Sequence, residues 1–196
     1  MMTRKTYLFF IASLSLPVLF FSCRMVPVME SRISRTIADK GIKTPDELTA
    51  FFMESRPDAD RAAVERLARY YVSECADEGI NSDIAFVQMC HETGFLRFGN
   101  LVTPDMHNYC GLGAIDESHR GERFATEELG VRAHVQHLQA YGLKDTKLVH
   151  QLVDRRYVYV RPRGKAPTVF ELSGTWAADR QYGAKLDALL SRLEKF

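Results

Sequence analysis

No charge of either sign dominates this chain: Lys and Arg number 26 and Asp and Glu 25, which leaves +1 at neutral pH. No basic stripe stands out, so nucleic acid is not an expected partner. Internal repeats and low-complexity tracts are also missing, which sets aside solenoids and composition-driven disorder. Cysteine is scarce, with four in all, and only Cys75, Cys90 and Cys110 lie beyond the N-terminal segment. Their spacing fits no zinc pattern, and a chain of this size needs no disulfide framework to hold a core. Outside the cytoplasm an odd number leaves two options open: one disulfide with a free thiol, or three buried thiols. Long apolar runs are absent except at the N terminus.

There, Arg4 and Lys5 precede "YLFFIASLSLPVLFF", a run too short and too soon followed by a cysteine to read as a membrane span. "LFFSC" places Ser22 directly before Cys23. This resembles a bacterial lipoprotein signal, in which residues 1–22 are removed and the Cys23 thiol is acylated. An ordinary secretory signal or an uncleaved anchor are the alternatives, and each takes the chain out of the cytoplasm. Residues 23–43 read as a tether with a short helix. No strong acidic run follows Cys23, which favours a lipid-anchored domain facing the periplasm.

Residues 44–196 read as one mainly α domain with enough length for a real core. "TPDE" at Thr44 to Glu47 is a helix start with a Thr cap, a proline at the first helical position and an acid three residues after the cap. Pro57 stops that helix. A longer helix is predicted from about Asp58 to Gly79, another from Asp83 to Thr93, a fourth through "TEELGVRAHVQHLQAYG", and a last through "DRQYGAKLDALLSRLEKF". "YVYVRPRGKAP" shows strand-like alternation followed by breakers. Between Gly94 and Phe124 the helical signal lapses over a stretch with five glycines and Pro104. A loop of that length in a compact domain is expected to line a site.

The segment "FVQMCHETGFLRFGN" reads as an amphipathic helix ending at Gly94 with Glu92 in its last turn. A zinc site of the metalloprotease kind needs a second histidine four residues after His91, and position 95 is Phe. His134 and His137, one turn apart, are residual candidates for ligands, and no metal is expected. Cys90 as a nucleophile is disfavoured because a helix C-terminus works against a thiolate, and its spacing suits a small buried hydrophobe. Glu92 as a general acid is the third reading. The helix dipole and Phe95 or Phe98 folding back over it would both favour the protonated form, as glycoside hydrolysis requires.

At this point a family resemblance enters. "AFVQMCHETGFLRFGN", "HNYCGLGAID", "RFATEELGVRAHVQHLQAYG" and "GTWAADRQYGAKLDALL" resemble, in order, the motifs of the glucosaminidase domain family, glycoside hydrolase family 73. The resemblance implies a lysozyme-like α fold with a short irregular or β-containing segment along the groove, and cleavage of β-1,4 links after N-acetylglucosamine in peptidoglycan. It implies Glu92 as the essential acid, Asn108, Tyr109 and Gly111 as the groove motif, and Trp176 and Tyr182 as terminal aromatics. Phe95 is added to the expected substrate contacts. The second catalytic group has no recognisable match: Asp116, Glu117, Glu122 and Asp179 are available, and the substrate's own 2-acetamido group is another route. The expected protein is a monomeric endo-β-N-acetylglucosaminidase anchored through Cys23, with no cofactor and peptidoglycan strands as its partner. The alternatives are a lytic transglycosylase or muramidase on the same fold, a non-catalytic glycan-binding lipoprotein and, more remotely, a cysteine amidase or peptidase.

Overall fold

Local signals set the helix ends in the computed structural model, which describes residues 32–99, 101–145 and 147–196. The expected signal and Cys23 lie outside the described residues. Helix α1 (Pro45–Ser55) opens on a reciprocal cap: Thr44 Oγ1 accepts from the Glu47 N–H at 3.3 Å, and the Thr44 N–H donates to the Glu47 carboxylate at 2.7 Å. Helix α2 (Arg61–Glu78) starts on Asp60 and ends at Gly79 in the left-handed conformation. Asn81 caps α3 (Ser82–Thr93), and Thr126 caps α4 (Glu127–Gly142). Helix α5 (Tyr182–Leu193) closes the chain.

Helix α2 packs against α1 and α4, and α3 runs through the middle in contact with α1, α2, α4 and α5. Every residue of α3 from Ser82 to Cys90 is consequently buried. The amphipathic reading of this helix is thereby corrected, since a helix enclosed on all sides needs no polar face. Phe51, Phe52, Tyr71, Phe86, Met89, Leu138 and Leu186 form the centre of the core. Buried ion pairing ties the layers together: the Arg132 guanidinium of α4 donates twice to Glu74 of α2, at 2.9 and 2.7 Å. Glu78, one turn further on, accepts from the N–H groups of Val149 and His150 and from the Gln139 amide.

Two expectations about irregular segments change. The described part of the tether, residues 32–43, holds no helix. Instead the Ile37 N–H donates to Pro167 O and the Val169 N–H to Arg35 O, and Arg35 is ion-paired with Asp187 and Glu194 next to α5. "YVYV" is a 3₁₀ turn over Tyr157–Tyr159, not a strand. Tyr157 and Val160 are buried while Val158 and Tyr159 are exposed, so burial recurs every three residues and not every two. The only ladder among the described residues is a small antiparallel hairpin, β1 (Ala114–Asp116) with β2 (His119–Arg120). Cys75, Cys90 and Cys110 are free, buried thiols, and burial raises the pKa of each well above its ordinary value. Among the described residues no helix is long and apolar enough to cross a membrane.

Candidate active site

The chemistry of this fold gathers where α3 ends. Gly94, Phe95 and Leu96 follow one another with φ of 58°, 57° and 57°, and left-handed backbone costs a residue with a side chain about 1 kcal/mol or more. Hydrogen bonds hold the run in place. The Phe95 N–H donates to Cys90 O at 2.8 Å and the Phe98 N–H to Thr93 O at 2.8 Å. Thr93 Oγ1 accepts from the Leu96 N–H at 2.9 Å while donating to Met89 O, and Arg56 grips Phe95 O at 3.0 Å. This turn swings Phe95 back against Phe52 and Phe51, at 5.4 and 5.9 Å between ring centroids. Phe95 therefore packs on the core and does not cover Glu92, which stays exposed. The expectation that Phe95 folds back over the acid and dries it is corrected by this local handedness.

Glu92 sits at the edge of a cleft of about 330 Å³ whose other walls include Thr93, Phe98, Leu101, Val102, Asn108, Gly111 and Ala114. Asn108 and Gly111 thus reach the cleft. The polar atoms of Asn108 also fasten the loop itself: its amide donates to Leu112 O and Glu122 O at 2.9 and 3.0 Å, and its carbonyl accepts from the Leu112 N–H at 2.9 Å. Tyr109 faces a neighbouring cavity of about 240 Å³ that it lines with Arg56, His107 and the other side of Phe98.

The carboxyl group of Glu92 takes two donors on one oxygen. The indole N–H of Trp176 lies 3.0 Å from Oε1, and the Tyr182 hydroxyl donates to the same atom. Burial first, then the charge of Glu92, pushes the Tyr182 pKa well up, so this phenol keeps its proton. Behind it the bonds continue inward. The Gln88 amide donates to the Tyr182 oxygen at 2.9 Å, His134 Nε2 meets Gln88 Oε1 at 3.0 Å, and Tyr71 meets His134 Nδ1 at 2.9 Å. His134 is fully buried, and desolvation drives its pKa down to about 3, so it is a neutral imidazole. Both of its ring nitrogens are engaged, which leaves no lone pair for a metal; His137 is bonded through Nδ1 to Asp154 at 2.7 Å.

The four candidate second carboxylates are scattered in role. Asp116 accepts from the N–H groups of Ser118 and His119 and closes the hairpin turn. Asp179 pairs with Lys185 at 2.7 Å and accepts from the Gln181 N–H. Hydrogen bonds hold both pKa values below the usual range: to Ser118 first for Asp116, and to Lys185 first for Asp179. Glu117 is exposed between β1 and β2, and the Glu122 N–H and C=O bond Leu112 and Asn108.

Residues 68–195, which hold Glu92, the cleft loop, Trp176 and Tyr182, match the glucosaminidase family described as mannosyl-glycoprotein endo-beta-N-acetylglucosaminidase. The chain belongs to this family. An uncharacterized protein of Borreliella burgdorferi is 36% identical over 160 residues, covering 82% of this chain and 78% of the relative. No solved structure matches. The glucosaminidase domain is thus a glycosidase-type unit that acts on glycan, and its mainly α, lysozyme-like architecture agrees with the family.

Several residues of the glucosaminidase domain escaped the sequence reading. Gln88 lies four residues before Glu92, so helical spacing alone sets the two on one face. Tyr71 and His134 join the row of bonds behind that carboxyl group only through tertiary packing of α2 and α4 on α3, for which spacing carries no signal. Leu101 and Val102 line the cleft beside the expected Phe98, from a segment whose course depends on the left-handed turn before it.

Proposed function

We propose that this glucosaminidase is an endo-β-N-acetylglucosaminidase that hydrolyses β-1,4 links of peptidoglycan, with Glu92 as its general acid. We further propose that an acylated Cys23 holds it at a membrane with the domain facing the periplasm. The supporting observation is the two-donor arrangement on Glu92 Oε1 at the edge of an open cleft. With Trp176 and Tyr182 both on Oε1, the proton of the neutral acid belongs on Oε2, where a glycosidic oxygen can take it. That proton transfers as the C–O bond breaks and oxocarbenium character develops at the anomeric carbon.

The opposite face of the sugar is assigned to the substrate's 2-acetamido group, because Asp116 and Asp179 are already engaged in a turn and an ion pair. The acetamido oxygen bonds to the anomeric carbon while the leaving oxygen departs with the Glu92 proton. Water then opens the resulting oxazolinium ion and returns a proton to Glu92, with retention of configuration.

Digestion of purified peptidoglycan tests the catalytic reading. The parent is expected to release N-acetylglucosamine reducing ends, seen by mass spectrometry, with the β anomer formed first, seen by proton NMR. Glu92→Gln is expected to lower the rate by about 10²–10⁴-fold. Undiminished release by Glu92→Gln refutes the acid. Anhydromuramic ends would make the domain a lytic transglycosylase, and an inverted product would transfer the second role to a carboxylate-activated water.

A further inference from the structure

The bonds behind Glu92 form a single file across four helices: Tyr71 of α2, His134 of α4, Gln88 of α3, then Tyr182 of α5. Each internal member has one donor and one acceptor to use within the file, so the row can be satisfied in two opposite directions. In the outward direction the Tyr71 hydroxyl donates to His134 Nδ1, His134 Nε2–H donates to Gln88 Oε1, the Gln88 amide donates to Tyr182, and Tyr182 donates to Glu92. In the inward direction every proton is reversed, Glu92 Oε1 must itself carry a hydrogen for Tyr182, and the Gln88 amide is flipped.

Tyr71 decides between them. It is completely buried, and its hydroxyl oxygen has His134 Nδ1 as its partner. In the inward direction that hydrogen has no acceptor, a buried donor left unmade. Among the described residues, only the outward direction gives the Tyr71 hydrogen an acceptor.

We propose that Tyr71 and His134 are positioning residues that fix which oxygen of Glu92 carries the acidic proton. The proposal rests on the reading of Glu92 as general acid. Neither residue touches the cleft; both act by orienting the Gln88 amide, which in turn leaves the Tyr182 hydrogen free for Glu92 Oε1. A neutral His134 is essential, since an imidazolium would have no acceptor for Tyr71, and its low pKa of about 3 meets that condition. The other groups around the file are few. The rings of Trp176 and His137 approach from the side, with His134 5.9 Å from Trp176 and His137 5.1 Å from Trp176. His91 packs on the Tyr182 ring at 5.3 Å, and the raised Cys110 thiol feels the Glu92 charge.

Two measurements test the inference, and the first needs no turnover. In nitrogen-15 NMR of the full chain, His134 is expected to show a protonated Nε2 and a bare Nδ1 throughout about pH 5 to pH 8. A protonated Nδ1, or an even mixture of tautomers, overturns the proposal whether or not the protein cleaves glycan. The second is the pH profile of kcat. A donor on a carboxylate favours its charged form, so losing the Tyr182 donor shifts the loss of the acid form to higher pH. Tyr182→Phe sets the benchmark, an alkaline limb displaced upward by about one pH unit. Tyr71→Phe and His134→Leu are expected to move the limb the same way, and His134→Gln, which keeps a donor facing Gln88, is expected to leave it near the parental position. A uniform loss of rate in Tyr71→Phe with an unmoved limb would show that the file serves packing alone. Because Tyr71→Phe removes a single oxygen, it carries the test even if His134→Leu does not fold.

Discussion

Replacing Gly130 by alanine sets two effects of opposite sign against each other. Gly130 lies inside the first turns of α4, where alanine is favoured over glycine by about 1 kcal/mol in helix propensity. A Cβ there would stand 1.9 Å from His107 O, 3.0 Å from His107 C and 3.1 Å from Tyr109 Cε2. The obstacle is backbone, and that backbone is pinned: the Phe124 N–H donates to Met106 O at 2.9 Å, His107 Nδ1 meets Phe124 O at 2.9 Å, and Asn108 holds Leu112 and Glu122. Recoil is therefore costly, and overpacking of this kind costs about 3 kcal/mol or more. The clash wins by about 2 kcal/mol, which for this chain length is a fall in Tm of roughly 4–8 °C. Thermal unfolding followed by circular dichroism reads it, and kcat/KM should fall as well, since the displaced loop carries Asn108 and Gly111 of the cleft. A Gly130→Ala protein as stable as its parent would refute the reasoning.

Asn108→Ala removes three hydrogen bonds and strands backbone groups of Leu112 and Glu122. We expect about 2–3 kcal/mol of destabilisation in urea titration, and a loss below about 0.5 kcal/mol would contradict the loop-fastening role. Acid should unfold the protein earlier than its carboxylates alone dictate: the unfolded chain protonates His134 near its ordinary 6.5, and the folded chain refuses the proton down to about 3. Stability then falls as pH drops through that window, by at most about 1.4 kcal/mol per unit, and His134→Gln should flatten the slope. Protonation of His134 near its ordinary value in the folded protein, seen by NMR, would contradict it. Cys23→Ser should move the protein from the membrane fraction to the soluble one and abolish incorporation of labelled fatty acid; unchanged partitioning would rule out the proposed anchor.

How much of this was legible beforehand depended on the range of the forces involved. Helix starts were readable because Thr44 with Glu47 is a signal contained within four residues, and Gly79 and Gly94 mark stops by their own backbone freedom. The long stretch after Gly94 was readable as a site for the same local reason, since helical periodicity simply stops. Phe95 was misread because its direction depends on the left-handed φ of Phe95 and Leu96, which their side chains disfavour and only the bonds to Cys90 O, Thr93 Oγ1 and Arg56 sustain. "YVYV" was misread because period two and period three agree over so short a run, and burial of Tyr157 and Val160 separates them only once α4 packs alongside. The pairing of Tyr71 with His134 spans 63 residues of sequence, and no pattern along the chain could announce it.

Trp176 is the single tryptophan of the chain, and its indole N–H is bonded to the proposed acid. All tryptophan emission from this protein therefore originates one hydrogen bond from Glu92, beside the rings of His137 and Tyr141. The molecule carries its own optical probe: a sugar entering the cleft, or a proton arriving at the carboxylate, changes the polarity around one fluorophore with no background from others. Occupancy of the site can be followed in real time on the unlabelled wild-type protein.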